Sequence, residues 1–474
     1  MAVFYNEGET KKRPGIYQRH VNTGFDTLVG AQDGICAIPI QSFWGPLNVV
    51  MKNTSKTDLY NYYGRGEYGD DYTVPAAEEM FNGGASTVYT YRMGTGGREA
   101  TKEITTGLTA TAKYVGNAPI SVAIKSKIGD ESKKQMLVYF GSELVETIEF
   151  AAGGTGEGQS LIDAAASSKF VTITGDSAPE SVPVIDVASG ALTGGENPTV
   201  TNGDYSSAFA ALETYYYNTI AIDVDDDESV TLGLLLQSYL SNAYLLGKLG
   251  IAVVGEKTTV DFETRCEHAR SFNDAKVVYL GGGYMSGSES KDGVMAICRT
   301  AGIIASTPAN QGITHYAVNG ATDLCENLTY SQYEQAIDSG MLLFSMSPDG
   351  TIWYDSGINT LITPEPSTQD DGWKKIRRVK TRFEIIDRID RTLLPKVGRV
   401  SADSDGVADI IQSAQRVLDS MANNEGKLFQ GATFTEDPNN PYEGDSAWFI
   451  IQADDIDSLE KIYIRYTFRY SQKS

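Results

Sequence analysis

The sequence predicts an α/β protein with an additional all-β segment, and three observations lead to that class. Short apolar runs, typical of strands buried on both faces, alternate with helical segments over residues 27–93 and again from 204 to 345. Between these blocks, residues 94–200 are rich in Thr, Val, Ser and Gly. Beyond residue 345, long helical segments and alternating strands are mixed. We therefore expect a central α/β domain with a mixed or parallel sheet, an inserted β-sandwich and an α+β C-terminal domain.

The central block repeats a strand-and-helix pattern. Residues 34–40 are a nearly continuous apolar run, and a helical segment at 76–81 stops at Asn82-Gly83-Gly84 before a strand at 86–92. The same pattern predicts helices at 208–217, 230–247, 263–270 and 293–301, and strands at 218–222, 250–254 and 275–280.

The inserted segment has strand-like runs separated by turn residues such as Gly116-Asn117 and Gly129-Asp130. Regular short strands with turn residues between them are typical of a β-sandwich. The predicted strands are 108–114, 120–125, 135–140, 145–150 and 170–174.

The two chain ends have the pattern of extended arms. Pro14-Gly15 precedes a partly apolar, extended-compatible stretch, and residues 462–470 alternate apolar and polar side chains. In the C-terminal block we also predict strands at 353–354, 359–362 and 447–452, and helices at 373–389 and 406–421. The expected limits are 1–22 for the N-terminal arm, 23–93 and 201–345 for the central domain, 94–200 for the insertion and 346–474 for the C-terminal domain with its terminal strand.

Composition excludes several classes of function. The 474 residues are 41% apolar and 21% charged, and 39 cations against 62 anions give a net charge of −23. Such an acidic chain disfavours a charge-driven nucleic-acid surface. The four cysteines form no C-x-x-C, the N-terminus has no apolar signal region, and no run approaches the ~18 apolar residues of a membrane span. We expect no nucleic-acid partner, no direct membrane insertion and a reducing cytoplasm.

The candidate catalytic features are few. The chain has three histidines, His20, His268 and His315. His268 follows Cys266-Glu267 on a predicted helix, where it is either part of a polar helix face or a member of a catalytic dyad, and His315 has no recognisable partner. The stretch 283–287 has the wrong spacing for a nucleophile elbow or a dinucleotide loop, and 223–228 lacks the glycine of a calcium loop. We expect no enzyme activity, no catalytic or metal-binding residue and no cofactor, although catalytic partners that are distant in sequence leave a hydrolase open as an alternative.

One segment reverses the acidic charge of the chain. Its six cations fall within nine residues of a predicted helix, opposite the apolar positions Ile376, Val379 and Phe383. Either the helix is amphipathic with a solvated face, or this face binds an acidic partner. The six residues are Lys374, Lys375, Arg377, Arg378, Lys380 and Arg382.

Seven stretches spread along the chain form a recognisable series. In order they are Arg13-Pro14-Gly15-Ile16-Tyr17, Trp44-Gly45-Pro46, residues 108–114, residues 211–220, Gly357-Ile358-Asn359-Thr360-Leu361, the helix at 379–389 and residues 457–463. In this order they resemble the tail sheath protein of contractile phage tails, in the branch of Gram-positive phages and phage-tail-like bacteriocins. The resemblance runs from the N-terminal arm to the C-terminus and includes the insertion.

The resemblance implies a subtilisin-like central fold and a structural role without a protease triad. It implies stacked hexameric rings around an inner tail tube, which contract and drive the tube through a cell envelope. Expected partners are further copies of the chain, the tube protein, and the baseplate and tail terminator proteins. The particle is a virion tail or a headless bacteriocin, assembled in the host cytoplasm.

Both arms are expected to pair as strands between subunits, and each net backbone hydrogen bond contributes about 1 kcal/mol. The cations at 374–382 are expected to face an acidic tube. The arm residues are Ile16, Tyr17, Gln18, Arg19, His20, Val21, Ile462, Tyr463, Ile464, Arg465, Tyr466, Thr467 and Phe468.

Two other functions stay open at this point. A subtilisin-like or other hydrolase would need a triad within hydrogen-bond distance in the α/β block. A surface shell or adhesin protein would use the β-rich insertion as its binding module and would need an export signal.

Overall fold

A seven-stranded mixed sheet forms the centre of the computed structural model, which describes residues 3–4, 17–18, 30–153, 155–175, 182–226 and 228–468. Neighbouring strands pair in parallel, except that β4 runs antiparallel to β5 at one edge. The mixed α/β class is therefore confirmed. The order is β19-β15-β14-β13-β3-β5-β4, with β3 Ile35–Ile40, β4 Val50–Asn53, β5 Thr87–Arg92, β13 Thr219–Ala221, β14 Ile251–Gly255, β15 Val277–Leu280 and β19 Met341–Leu342.

Side chains alternate between two cores on opposite faces of this sheet. On β3, Cys36, Ile38 and Ile40 belong to one core and Ala37 to the other. This explains why the strand is an unbroken apolar run, since both of its faces are covered. The helices are α1 Lys56–Tyr63, α2 Val74–Asn82, α3 Glu157–Ala165, α4 Asn202–Leu212, α5 Glu228–Leu245, α6 Phe262–Phe272, α7 Val294–Ser306, α8 Tyr330–Asp338, α9 Ile376–Leu393 and α10 Ser404–Asn423.

The helices divide between the two faces. Buried residues of α1, α2, α7 and the start of α9 lie in one core, and those of α4, α5, α6 and α8 in the other. Helices α2 and α7 approach closely at Gly83 and Gly302, where an added Cβ on Gly302 would lie 2.2 Å from the Met80 carbonyl oxygen. Only glycine allows two helices so close together.

The inserted segment contains two antiparallel sheets around a shared core. Side chains of β7, β8 and β9 alternate into this core, which also receives Leu161 of α3. One sheet has the order β10-β9-β8-β12, with β8 Ile120–Ser126, β9 Lys133–Phe140, β10 Glu143–Ala151 and β12 Val187–Ala191. The other is β11-β7-β6, with β6 Thr101–Thr105, β7 Leu108–Ala112 and β11 Val171–Gly175.

A fully buried arginine joins the insertion to the central sheet. Arg92, the last residue of β5, donates to the carbonyl oxygens of Ser42 at 2.9 Å, Gly45 at 2.6 Å and Val115 at 2.8 Å. Burial lowers the pKa of its guanidinium to about 10. Three backbone carbonyls, two from the loop after β3 and one from the insertion, therefore share one buried cation.

The C-terminal part packs α9 against α10 and a two-stranded sheet. Ile385 and Ile389 of α9 contact Val417 and Leu418 of α10 in a separate small core. The remaining strands are β1 Val3–Phe4, β2 Tyr17–Gln18, β16 Tyr284–Ser286, β17 Glu289–Lys291, β18 Asp323–Leu324, β20 Phe344–Met346, β21 Ile352–Tyr354, β22 Thr433–Glu436 and β23 Phe449–Gln452.

Some predicted elements differ from the structure. The helix expected at 208–217 is α4, which begins at Asn202 and ends at Leu212. Residues 359–362 form no strand, because the Asn359 and Thr360 amides bond the carbonyls of Lys374 and Val277 as single contacts. Helix α3, in a glycine-rich region, was not predicted.

Candidate functional site

Helix α9 carries the cationic segment, and its apolar stripe fixes its orientation. Ile376, Val379 and Phe383 are buried in the core of the central sheet, at spacings of three and four residues. A turn of 3₁₀-helix, Asp371–Lys374, precedes it, and the Asp370 side chain accepts a hydrogen bond from the Gly372 amide. The cations therefore project from the remaining faces of the helix.

An acidic segment of the same chain covers most of these cations. We call residues 454–460 the strap. Arg378 bonds both carboxylate oxygens of Asp455, at 2.5 and 2.8 Å, and Lys375 lies 2.9 Å from Asp457 and 2.8 Å from Glu460. The charge of the helix is thus largely met within the chain.

The other cations are also engaged internally. Arg382 bonds Asp370 at 3.0 Å and Asp455 at 3.2 Å, and its guanidinium lies 4.6 Å from the centre of the Trp373 ring. Arg377 donates to the Ser458 hydroxyl at 2.9 Å. Lys374 lies 2.9 Å from Asp371 on its own turn.

Lys380 bonds backbone carbonyls instead of acidic side chains. Its ammonium donates to the carbonyl oxygens of Ile304 and Thr307, at the end of α7. Burial lowers its pKa to about 8. The expectation of one exposed basic face is therefore wrong, because acidic and carbonyl partners from distant segments cover these cations. Contact with a tube stays a prediction.

Electrostatics supports the contact between strap and helix. Burial alone would raise the pKa of the Asp455 carboxyl, but hydrogen bonds and charge from Arg378 and Arg382 bring it below its usual range. Burial would likewise lower the pKa of Lys375, and the carboxylates of Glu460 and Asp457 raise it instead. Each partner therefore holds the other in its charged form.

Beyond Glu460 the chain leaves the body of the protein. We call residues 461–468 the tail. Its large apolar side chains are exposed: Ile462 by 70%, Tyr463 by 90%, Ile464 by 66%, Tyr466 by 72% and Phe468 by 90%. The strand predicted at 462–470 is absent from 462–468, which pair with no other segment of the described chain. Residues 469–470 lie outside the described residues.

The N-terminal arm is described only in part. Tyr17–Gln18 pairs in parallel with Val3–Phe4 as a two-stranded sheet. Ile16, Arg19, His20 and Val21 lie outside the described residues. The inter-subunit role predicted for both arms stays a prediction.

A short sheet close to the strap has one open edge. Strands β22 and β23 pair with each other, and no further strand of the described residues joins them. The outer edge of β22 is engaged by α10, because the Phe434 amide donates to the Gln415 side chain at 2.9 Å. Apolar side chains near the sheet are exposed: Trp448 by 45%, Ile451 by 40% and Phe429 by 57%. The β23 edge is therefore the one suited to strand addition.

The two histidines considered as catalytic candidates, His268 and His315, both contact other side chains. His268 Nδ1 lies 2.7 Å from Glu256, whose carboxylate also accepts a hydrogen bond from the Tyr279 hydroxyl. His315 stacks on Trp353, with ring centres 4.3 Å apart. Among the described residues, neither imidazole ring forms a hydrogen bond with a serine, threonine or cysteine side chain.

The acidic run after β13 is likewise engaged within the protein. Asp223 accepts hydrogen bonds from the hydroxyls of Thr73 and Tyr205, and Asp225 from the Val294 amide. In the part of the chain that the structure describes, no group of three or more His, Cys, Asp or Glu side chains is arranged to hold a metal ion. No described helix combines the length and the apolar character needed to cross a membrane.

Sequence reasoning missed a buried charge network behind α9. Lys427 lies 2.6 Å from Glu384 and 2.8 Å from Glu425, and Arg388 bonds both oxygens of Glu425 at 2.6 and 2.7 Å. It also missed the strap as the partner of the basic segment. The acids at 454, 455, 457 and 460 were the available signal.

Comparison with known proteins identifies the central segment. Residues 199–360 match the family model of the phage tail sheath protein central domain. The chain is 25% identical to the uncharacterized protein YqbK of Bacillus subtilis (strain 168), over 97% of this chain and 98% of that protein. It is also 25% identical to the phage-like element PBSX protein XkdK of the same organism, over 76% of this chain and 75% of that protein.

Solved structures share the fold over nearly the whole chain. The sheath tail protein of Desulfitobacterium hafniense aligns with a TM-score of 0.72 at 18% identity, over 92% of this chain and all of that one. The helical sheath of the anti-feeding prophage in its contracted state aligns with a TM-score of 0.56 at 10% identity, over 97% and 99%. Residues 199–360 are therefore similar to the phage tail sheath protein central domain, within a chain that shares its fold with the sheath tail protein of Desulfitobacterium hafniense and the anti-feeding prophage sheath.

Proposed function

We propose that this protein is the structural sheath subunit of a contractile tail or of a phage-tail-like bacteriocin. Copies would stack as hexameric rings around an inner tube and contract to drive the tube through the target envelope. The observation that carries the proposal is the tail, whose alternating apolar side chains are two-thirds or more exposed. Exposed apolar segments of this kind mark contact with another chain.

The tail is suited to strand addition on a second copy. Ile462, Ile464, Tyr466 and Phe468 lie at alternate positions, which places them on one face of an extended chain. The β23 edge of sheet β22–β23 offers an unpaired backbone and exposed apolar side chains for such a strand. Four to six backbone hydrogen bonds would contribute about 4–6 kcal/mol for each tail.

The rest of the assignment follows the same proposal. The protein would have no enzyme activity and would contact the tube, baseplate and tail terminator proteins after assembly in the host cytoplasm. Its domains would be residues 1–22, 23–93 with 201–345, 94–200 and 346–474. The central part would have a subtilisin-like fold, and the insertion would be a β-sandwich.

Removal of the tail tests the assembly step. The purified chain, concentrated alone, should form tubes or stacked rings visible by negative-stain microscopy. A variant ending at Glu460 should remain folded but monomeric, whereas a control lacking only residues 471–474 should assemble. Tubes formed by the variant ending at Glu460 would contradict the proposed role of the tail.

A further inference from the structure

We propose that the basic surface of α9 anchors the tail within its own subunit. The strap is the segment that binds α9, and these contacts are the anchor. A force applied to the tail would be transmitted through them to the folded part of the subunit. The anchoring is a property of the single chain. Only the source of the pull, a neighbouring copy that holds the tail, rests on the proposed function.

Asp455 is the centre of the anchor. Its side chain is 7% exposed, and it accepts two hydrogen bonds from Arg378 and a third from Arg382. Bidentate pairing of arginine with carboxylate fixes direction as well as distance. A carboxylate buried in this way resists displacement, because removal of one partner leaves the opposite charges unpaired.

A second group of contacts lies at the end of the strap. Glu460 bonds the Thr314 hydroxyl at 2.9 Å and Lys375 at 2.8 Å, so it connects the strap to the loop after α7 as well as to α9. The next residue, Lys461, begins the exposed tail. The transition from bound to free chain therefore falls within one residue.

The backbone of the strap is held as well. The Ile456 amide donates to the Lys427 carbonyl at 3.0 Å, and the Phe429 amide donates to the Asp454 carbonyl at 2.9 Å. These two bonds join the strap to the loop before β22. The Ile456 amide therefore reports directly on whether the strap is in place.

Contacts of α9 with the end of α7 and the loop after it connect the strap to the central part of the chain. Lys380 donates to the carbonyls of Ile304 and Thr307, and the Thr381 hydroxyl, one turn along the helix from Arg377, donates to the Ala309 carbonyl at 3.1 Å. A pull on the tail would therefore pass from the strap through α9 to the end of α7. No long flexible linker lies on this route.

Hydrogen exchange of the unassembled chain tests the anchor. Asp455→Asn should speed exchange of the Ile456 amide at least about tenfold. The reason is that loss of a charge-assisted hydrogen bond raises the equilibrium constant for opening of the strap by more than about tenfold. Arg378→Gln, which removes the partner charge, should do the same. The matched control is Asp371→Asn, where the carboxylate is 88% exposed and pairs with Lys374. If the Ile456 amide exchanged at the control rate in both Asp455→Asn and Arg378→Gln, the proposed anchor would be overturned.

Assembly of the same variants tests the mechanical role. At the concentration at which half of the wild-type chain forms tubes, Asp455→Asn should lose most of its tubes and Asp371→Asn should keep them. Equal tube formation by Asp455→Asn, with its strap open by hydrogen exchange, would overturn the mechanical role. Failure of the wild-type chain to form any tube would count against the proposed function and leave the exchange result on the anchor intact.

Discussion

Arg92 gives the sharpest stability prediction, because one buried cation serves three backbone carbonyls. Arg92→Met removes the donors to Ser42, Gly45 and Val115 while keeping most of the side-chain volume. Each buried acceptor left without a donor costs about 1–3 kcal/mol, and relief of the buried guanidinium offsets part of the sum. We expect a loss of about 3–5 kcal/mol in the free energy of unfolding.

Urea unfolding of the unassembled protein measures this loss, and an exposed arginine provides the control. Arg98 is 66% exposed and pairs with Glu196, which is 61% exposed, so Arg98→Met should cost under about 1 kcal/mol. Hydrogen exchange should also locate the Arg92→Met effect at residues 42–45 and 113–117. A loss no greater than that of the Arg98 control would refute the reasoning.

Three further predictions concern other buried groups. The hydrogen bonds from Arg388 lower the pKa of Glu425 to about 2. The Glu425 carboxylate therefore stabilises the folded protein fully above pH 4.5, and this stabilisation is lost as the pH falls toward 2. Glu425→Gln should flatten that decline in acid unfolding curves. Burial lowers the pKa of Lys380 to about 8, so the unfolded chain binds more protons than the folded chain between pH 8 and 10.5. The free energy of unfolding should therefore rise with pH over that range. Urea unfolding of Lys380→Met should show a smaller rise. Gly302→Ala should lower the melting temperature by clashing with the Met80 carbonyl, whereas Gly203→Ala, with 3.6 Å of space, should not.

The central sheet could be predicted because its strands carry their own signal. A strand covered on both faces must be apolar throughout, and β3 and β14 meet that condition in sequence. Helix α3 lacks such a signal, because Gly156 and Gly158 give it low intrinsic propensity and the burial of Leu161 in the insertion stabilises it. Formation of α3 therefore depends on tertiary packing and not on local sequence propensity.

The basic segment shows what spacing along the chain does not reveal. The helical period correctly places Ile376, Val379 and Phe383 on a buried face. The fate of the opposite charges depends on Asp455, which is 77 residues from Arg378 in sequence. No local pattern reports a contact of that range, although the acidic character of residues 454–460 is visible in the sequence.

The tail shows a different limit. Alternation of side chains predicts strand geometry, but a strand also needs a hydrogen-bonding partner, and residues 461–468 pair with no other segment of the described chain. The pattern was therefore informative about the extended shape and the exposed apolar face. Whether a neighbouring copy completes the strand depends on the assembly.

The most direct measurement is a cryo-electron microscopy reconstruction of tubes grown from the purified chain. Our account predicts helical tubes in which residues 461–468 leave their own subunit just after Glu460 and pair as a strand with another copy. Well-ordered particles in which that segment folds back onto its own chain, or a chain that stays monomeric at every concentration, would contradict it.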